Sequence, residues 1–132
     1  MSLDKVGCSI VALVATMLML IGLAYLLVPV EVLSITGQFN LDGDALIDVR
    51  ATYGGFQVGL GLFLFVQIFR RENIAFSLLL LAIIFISVGS VRFVTSFVEV
   101  HVSYPHLIAG GVEIASAAAC LFLSISIANE RR

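Results

Sequence analysis

Arg92 and Glu113 each interrupt a stretch that is otherwise apolar enough to cross a membrane. An ionised side chain in hydrocarbon is costly, so each is expected to face protein, water or a partner and to mark a functional position. Helical spacing groups further polar residues around them. Arg50, Gly54, Gln57 and Gly61 recur at i, i+4, i+7 and i+11, with Tyr53 beside them. Phe85, Gly89, Arg92, Ser96 and Glu99 share a second stripe, and His106, Gly110, Glu113, Ala117, Cys120 and Ser124 a third. Arg50, Tyr53, Gln57, Arg92, His106 and Glu113 are therefore the candidate ligand-binding residues.

Two guanidinium groups suit a carboxylate, phosphate or ketone-bearing head group, because arginine stays charged when buried and presents forked donors. Tyr53, Gln57 and His106 add neutral hydrogen-bonding groups at the sides. The inert alternative is an Arg92–Glu113 ion pair that only fixes which helices touch. Arg50 would then snorkel to the interface and neutralise Asp48 or Glu99. No His/Cys/Asp set has zinc-site spacing, so no metal is expected, and the residues leave any cofactor unknown.

The elements that must position these residues are membrane helices. Of 132 residues 61% are hydrophobic and 12% charged, with a mean hydropathy of +1.14, too apolar for a soluble globule of this size. Four segments, 6–28, 49–69, 74–98 and 107–128, are each long enough to cross a hydrocarbon core of about 30 Å. The predicted fold is all-α: a polytopic membrane protein with one domain over 1–132, a four-transmembrane-helix bundle. Arg50, Gln57, Glu113 and many small residues dilute the second and fourth segments, which suits faces turned inward rather than to lipid.

Pro29 should end or bend the first helix, 30–36 form a short interfacial segment, and Asp44 cap the second span. The joint Arg70-Arg71-Glu72-Asn73 leaves almost no loop, so the second and third spans are expected to pair as an antiparallel hairpin. Gly55-x-x-x-Gly59, and Gly110-Gly111 with the alanines of 115–119, offer small faces for close helix approach. Contacts within one chain are the simpler use of them, contacts between chains the other.

Lys5, Arg70, Arg71, Arg131 and Arg132 fall on one side of such an arrangement, which places both termini and the joint in the cytoplasm and 30–48 and 99–106 outside. A net charge of −2 and a pI near 5.5 give no reason to expect nucleic acid. Lys5 before an apolar run, with Gly22-Leu23-Ala24 behind it, loosely imitates a signal peptide, but the length of the run favours a retained span. Cys8 and Cys120 have no paired spacing and read as small packing residues.

At Arg50-Ala51-Thr52-Tyr53-Gly54-Gly55-Phe56-Gln57-Val58-Gly59-Leu60-Gly61 the chain resembles the DUF4345 family, small bacterial four-span membrane proteins without an established activity. The likeness extends over nearly the whole chain: a first span ending near Pro29, a short external stretch, the arginine- and glycine-rich second span, a basic joint, and a third span with Gly89 and Arg92. A looser resemblance reaches the DoxX-like four-helix membrane proteins, some linked to redox or quinone partners. The resemblance implies a fold and a bacterial cytoplasmic (inner) membrane location, and it supplies no catalytic residues.

The leading expectation is a small accessory or scaffold protein that binds a lipid or quinone-like amphiphile in an outward-facing polar pocket. Its partners would be a membrane lipid or lipid-soluble small molecule, with a homo-oligomer or another membrane protein as further candidates. One alternative is a membrane enzyme acting on a lipid-soluble substrate, with Glu113 or His106 moving a proton, although no nucleophile, base and orienting group stand together in the sequence. The other is a transporter or channel subunit, for which the inner half offers no charge relay.

Overall fold

The computed structural model describes residues 2–35, 43–70, 73–98 and 104–131. These are almost entirely helical: α1 (Leu3–Leu27), α2 (Pro29–Ile35), α3 (Gly43–Val49), a π-helical stretch Arg50–Gly55, α4 (Phe56–Arg70), α5 (Ile74–Val98) and α6 (Tyr104–Glu130). No strand occurs among the described residues. Four helices, Leu3–Leu27, Gly43–Arg70, Ile74–Phe97 and Tyr104–Glu130, are long and apolar enough to span a membrane. The protein is an all-α membrane protein with four candidate spans.

Two boundaries differ from the sequence expectation. Residues 43–48 are helical and run through the π stretch into α4 as one 28-residue helical segment, so Asp44 sits inside the first turn rather than capping it. Its carboxylate there is well placed beside the positive end of the helix dipole. The fourth span begins at Tyr104 instead of 107, with Pro105 in its first turn, where a missing N–H costs no helical bond. α2 is the short helix expected after the first span, opened by Pro29 and pinned by buried Leu33. The basic joint at 71–72 lies outside the described residues.

The chain divides into two compact units, Met1–Cys8 with Glu72–Arg132, and Ser9–Arg71. In the first, α5 and α6 run antiparallel: Arg92 near the end of α5 meets Glu113 near the start of α6, and Ser124 Oγ donates to the Ala75 carbonyl at 2.7 Å at the opposite ends. Leu78, Leu81 and Ile127 are fully buried there, with Ala117 and Cys120 beside them on the face that sequence periodicity marked out. The start of α1 belongs to this unit, since an added Cβ on Gly7 would stand 3.0 Å from Ile127, Ile74 and Leu78 side chains. Arg131 closes the same end with a 2.8 Å ion pair to Asp4.

In the second unit α1 packs antiparallel on the π stretch and α4. Three crossings show the register: Gly61 against Ala15 and Met19, Val58 against Gly22, and Gly54 against Leu26. At Gly22 an added Cβ would lie 2.9 Å from the Val58 backbone nitrogen and 3.0 Å from the Gly54 carbonyl oxygen, so two backbones touch with no room for a side chain. Gly59 meets nothing within 4 Å and Gly55 only the Arg50 carbonyl at 3.8 Å. The close-packing pair in this span is thus Gly54 and Gly61, not the Gly55-x-x-x-Gly59 motif.

Large apolar side chains cover the outside. Leu13, Leu20, Leu27, Phe56, Phe69 and Phe122 are all more than half exposed, as are several valines and isoleucines. In water so much exposed apolar surface would drive aggregation, whereas lipid tails solvate it at no cost.

Candidate functional site

Arg92 lies on α5 and Glu113 on α6, and the two glycines between them explain how they meet. A Cβ on Gly89 would stand 3.0 Å from Ile114 Cγ1, 3.2 Å from Glu113 Cβ and 3.2 Å from the Gly110 carbonyl. A Cβ on Gly110 would stand 3.2 Å from the Phe93 ring and 3.4 Å from Arg92 Cβ. The two glycines are one turn from the charged residues on their own helices, so the closest approach of the helices falls beside the pair. The 3.0 Å contact shows the pair at one level of the two helices.

The ion pair has an unusual form. Arg92 Nε donates to both Glu113 oxygens, each at 3.0 Å, so the carboxylate takes the single side donor and leaves the forked end of the guanidinium untouched. Arg92 Nη1 lies 3.2 Å from His106 Nδ1. Arginine has donors only, so this contact is a hydrogen bond in which the imidazole nitrogen accepts. His106 and Glu113 are seven residues apart on α6, about 10 Å along its axis, and the Arg92 side chain lies across the gap that Gly110 keeps open. The side chains of Arg92 and Glu113 retain 37% and 19% of their exposure and His106 is exposed, so the cluster is open to its surroundings.

The other three candidates occupy the second unit. Arg50 is exposed at the first position of the π stretch, and its side chain has no ion pair or hydrogen bond among the described residues. It therefore does not neutralise Asp48, and Glu99 lies outside the described residues. Tyr53 is half exposed, and its ring lies 5.4 Å from that of Tyr25 at a tilt of 31°. This pairing joins α1 to the π stretch, an aromatic contact the linear sequence had no means of marking. Gln57 is half-buried, and its Oε1 is shielded from solvent without a hydrogen-bond partner.

The six residues thus fall into two local sets, Arg92, His106 and Glu113 on α5 and α6, and Arg50, Tyr53 and Gln57 on the π stretch and α4. The first is bonded throughout; the second shares one helical segment without a bond among its members. The π stretch itself was missed. Arg50-Ala51-Thr52-Tyr53-Gly54-Gly55 reads as ordinary helix, though its paired glycines make a widened turn cheap, and such turns recur at functional sites. Gln67 was missed too: its Oε1 is also buried without a partner, and a lone amide in an apolar span was the available signal.

The family model described as "Domain of unknown function (DUF4345)" matches residues 9–124. No curated protein and no solved structure matches the chain.

Proposed function

The chain belongs to the DUF4345 family, and from that premise we propose that it is a small accessory protein of the bacterial cytoplasmic membrane that holds the polar head of an amphiphile at Arg92. The observation that carries the reading is the Arg92 guanidinium itself. Its charge is balanced by Glu113 through Nε alone, its side chain keeps 37% of its exposure, and the helices that carry the pair present apolar surface suited to a tail. A residue serving only to glue two helices would be expected to spend its fork on the carboxylate, the stronger bidentate arrangement. His106 adds a second polar group at the same edge.

Native mass spectrometry after gentle extraction tests the reading. The wild-type protein should retain a lipid- or quinone-sized mass, and Arg92→Ala should lower the retained fraction at least about fivefold, the loss of one charge-assisted contact. Arg70→Ala is the fitting control, because Arg70 is an exposed arginine at the end of α4, whereas Arg131 is tied to Asp4. A bare wild-type mass in several mild detergents would overturn the proposal.

Orientation belongs to the same reading. The basic residues Lys5, Arg70, Arg71, Arg131 and Arg132 support cytoplasmic termini, with the Arg92 edge then toward the outside. In a background lacking Cys8 and Cys120, Gly43→Cys should be labelled by an impermeant maleimide on intact cells, since nothing stands within 4 Å of a Cβ there. Asn73→Cys should be labelled only after the cells are opened, and the reverse pattern would invert the topology.

A further inference from the structure

We infer that the Arg92 site selects an uncharged head group presenting a carbonyl oxygen, and that Glu113 is the residue that sets this preference by excluding anions. The inference rests on the amphiphile-binding reading above and narrows it to a ligand class.

Charge and unused donors set the preference. Of the five N–H groups of a guanidinium, one serves Glu113 from Nε and one serves His106 from Nη1, which leaves three on the fork of this half-exposed side chain. None has a partner among the described residues. Hydrogen-bond donors are therefore in surplus, yet the site carries no net charge, because one carboxylate balances one guanidinium at 3.0 Å. The third member adds a donor and no charge. An imidazole whose Nδ1 accepts from Arg92 carries its proton on Nε2, so exposed His106 offers one more N–H at the same edge.

An anionic head brought to this fork would meet the guanidinium and the Glu113 carboxylate together. The attraction to one is largely offset by repulsion from the other, while the cost of stripping water from the anion remains. A carbonyl oxygen has a small desolvation cost and accepts two hydrogen bonds, the number that neighbouring Nη donors supply in a plane. A quinone ring and the ester of a neutral glycerolipid both present that oxygen on an apolar body, and both fit the same chemistry.

The test uses the full-length protein in nanodiscs of a zwitterionic lipid with three probes: a decyl-substituted benzoquinone, dioctanoylglycerol, and decyl sulfate, which is permanently anionic and has no carbonyl. Competition read by native mass spectrometry should show wild type preferring at least one carbonyl probe over decyl sulfate by about tenfold, and the better of the two identifies quinone or ester as the source. Glu113→Gln keeps the shape and an accepting oxygen but removes the charge, so the order should turn over, with decyl sulfate gaining at least about tenfold relative to the carbonyl probe. Wild type that binds decyl sulfate as well as or better than both carbonyl probes, with Arg92→Ala abolishing the binding, would overturn the neutral-ligand inference and leave the binding site standing. Wild type that binds none of the three would remove the amphiphile-binding reading, and this inference with it. The wild-type order alone decides the matter should Glu113→Gln fail to fold; an unchanged order in a folded Glu113→Gln would strip Glu113 of the role.

Discussion

Gly22→Ala should lower the stability of the purified protein by about 3 kcal/mol, at the upper end of what one added methyl group costs in a packed interior. The size of the effect comes from what the new Cβ would strike: the Val58 backbone nitrogen at 2.9 Å and the Gly54 carbonyl at 3.0 Å. Neither atom belongs to a flexible side chain, so the helices must separate, and the neighbouring contacts of Gly54 with Leu26 and Gly61 with Met19 loosen with them. Gly54→Ala is expected to cost less, because the atoms closest to it, at 2.7 Å, are Cδ2 and Cγ of the Leu26 side chain, which has other rotamers. Gly59→Ala should cost nothing, there being no atom within 4 Å. Thermal unfolding of the three variants in one detergent checks the order; a Gly22→Ala variant no less stable than Gly59→Ala would show that the backbone crossing does not govern the response.

Removing one member of the Arg92–Glu113 pair should be worse than removing both. Arg92→Leu leaves the Glu113 carboxylate, 19% exposed, without its partner, and Glu113→Met leaves the guanidinium without its counter-charge. Each single change is expected to cost about 2–4 kcal/mol, below the figure for a wholly buried pair in Arg92→Leu because water or a head group reaches part of the site. The double variant should recover at least about half of the summed loss, since apolar side chains are at home between two membrane helices. A double-mutant cycle on melting temperatures measures the coupling. Strictly additive losses would mean that the two charges act independently in spite of their 3.0 Å contact.

Much of the α5–α6 arrangement was legible in the sequence because it follows from a one-dimensional regularity. Gly89, Arg92 and Ser96 on one helix, and Gly110, Glu113, Ala117, Cys120 and Ser124 on the other, repeat at helical spacing. Of these, Gly89, Ser96, Gly110, Ala117, Cys120 and Ser124 are buried. Both helices are regular α-helix throughout, so the stripe keeps its phase from end to end. The second span breaks that condition. Its π stretch bonds i to i+5 and widens the turn, so a stripe counted at 3.6 residues per turn does not pass through Arg50–Gly55 unchanged. Arg50 ends exposed while Gly54 is buried, although both belong to one counted stripe.

What the amino-acid sequence determined by itself was therefore the all-α class, the four candidate spans, and the meeting of Arg92 with Glu113. Transfer energy and helical period are properties of a local stretch and need no knowledge of its neighbour. The tertiary structure alone decided which glycines bear a backbone crossing, that Tyr25 meets Tyr53, and that Glu113 takes Arg92 by Nε while Nη1 goes to His106. Each of those depends on the separation and rotation of two helices at their point of contact. Gly22 and Gly59 are the same residue in similar apolar runs, and it is the Val58 nitrogen and the Gly54 carbonyl within 3.0 Å of one of them that leave it no room for a side chain.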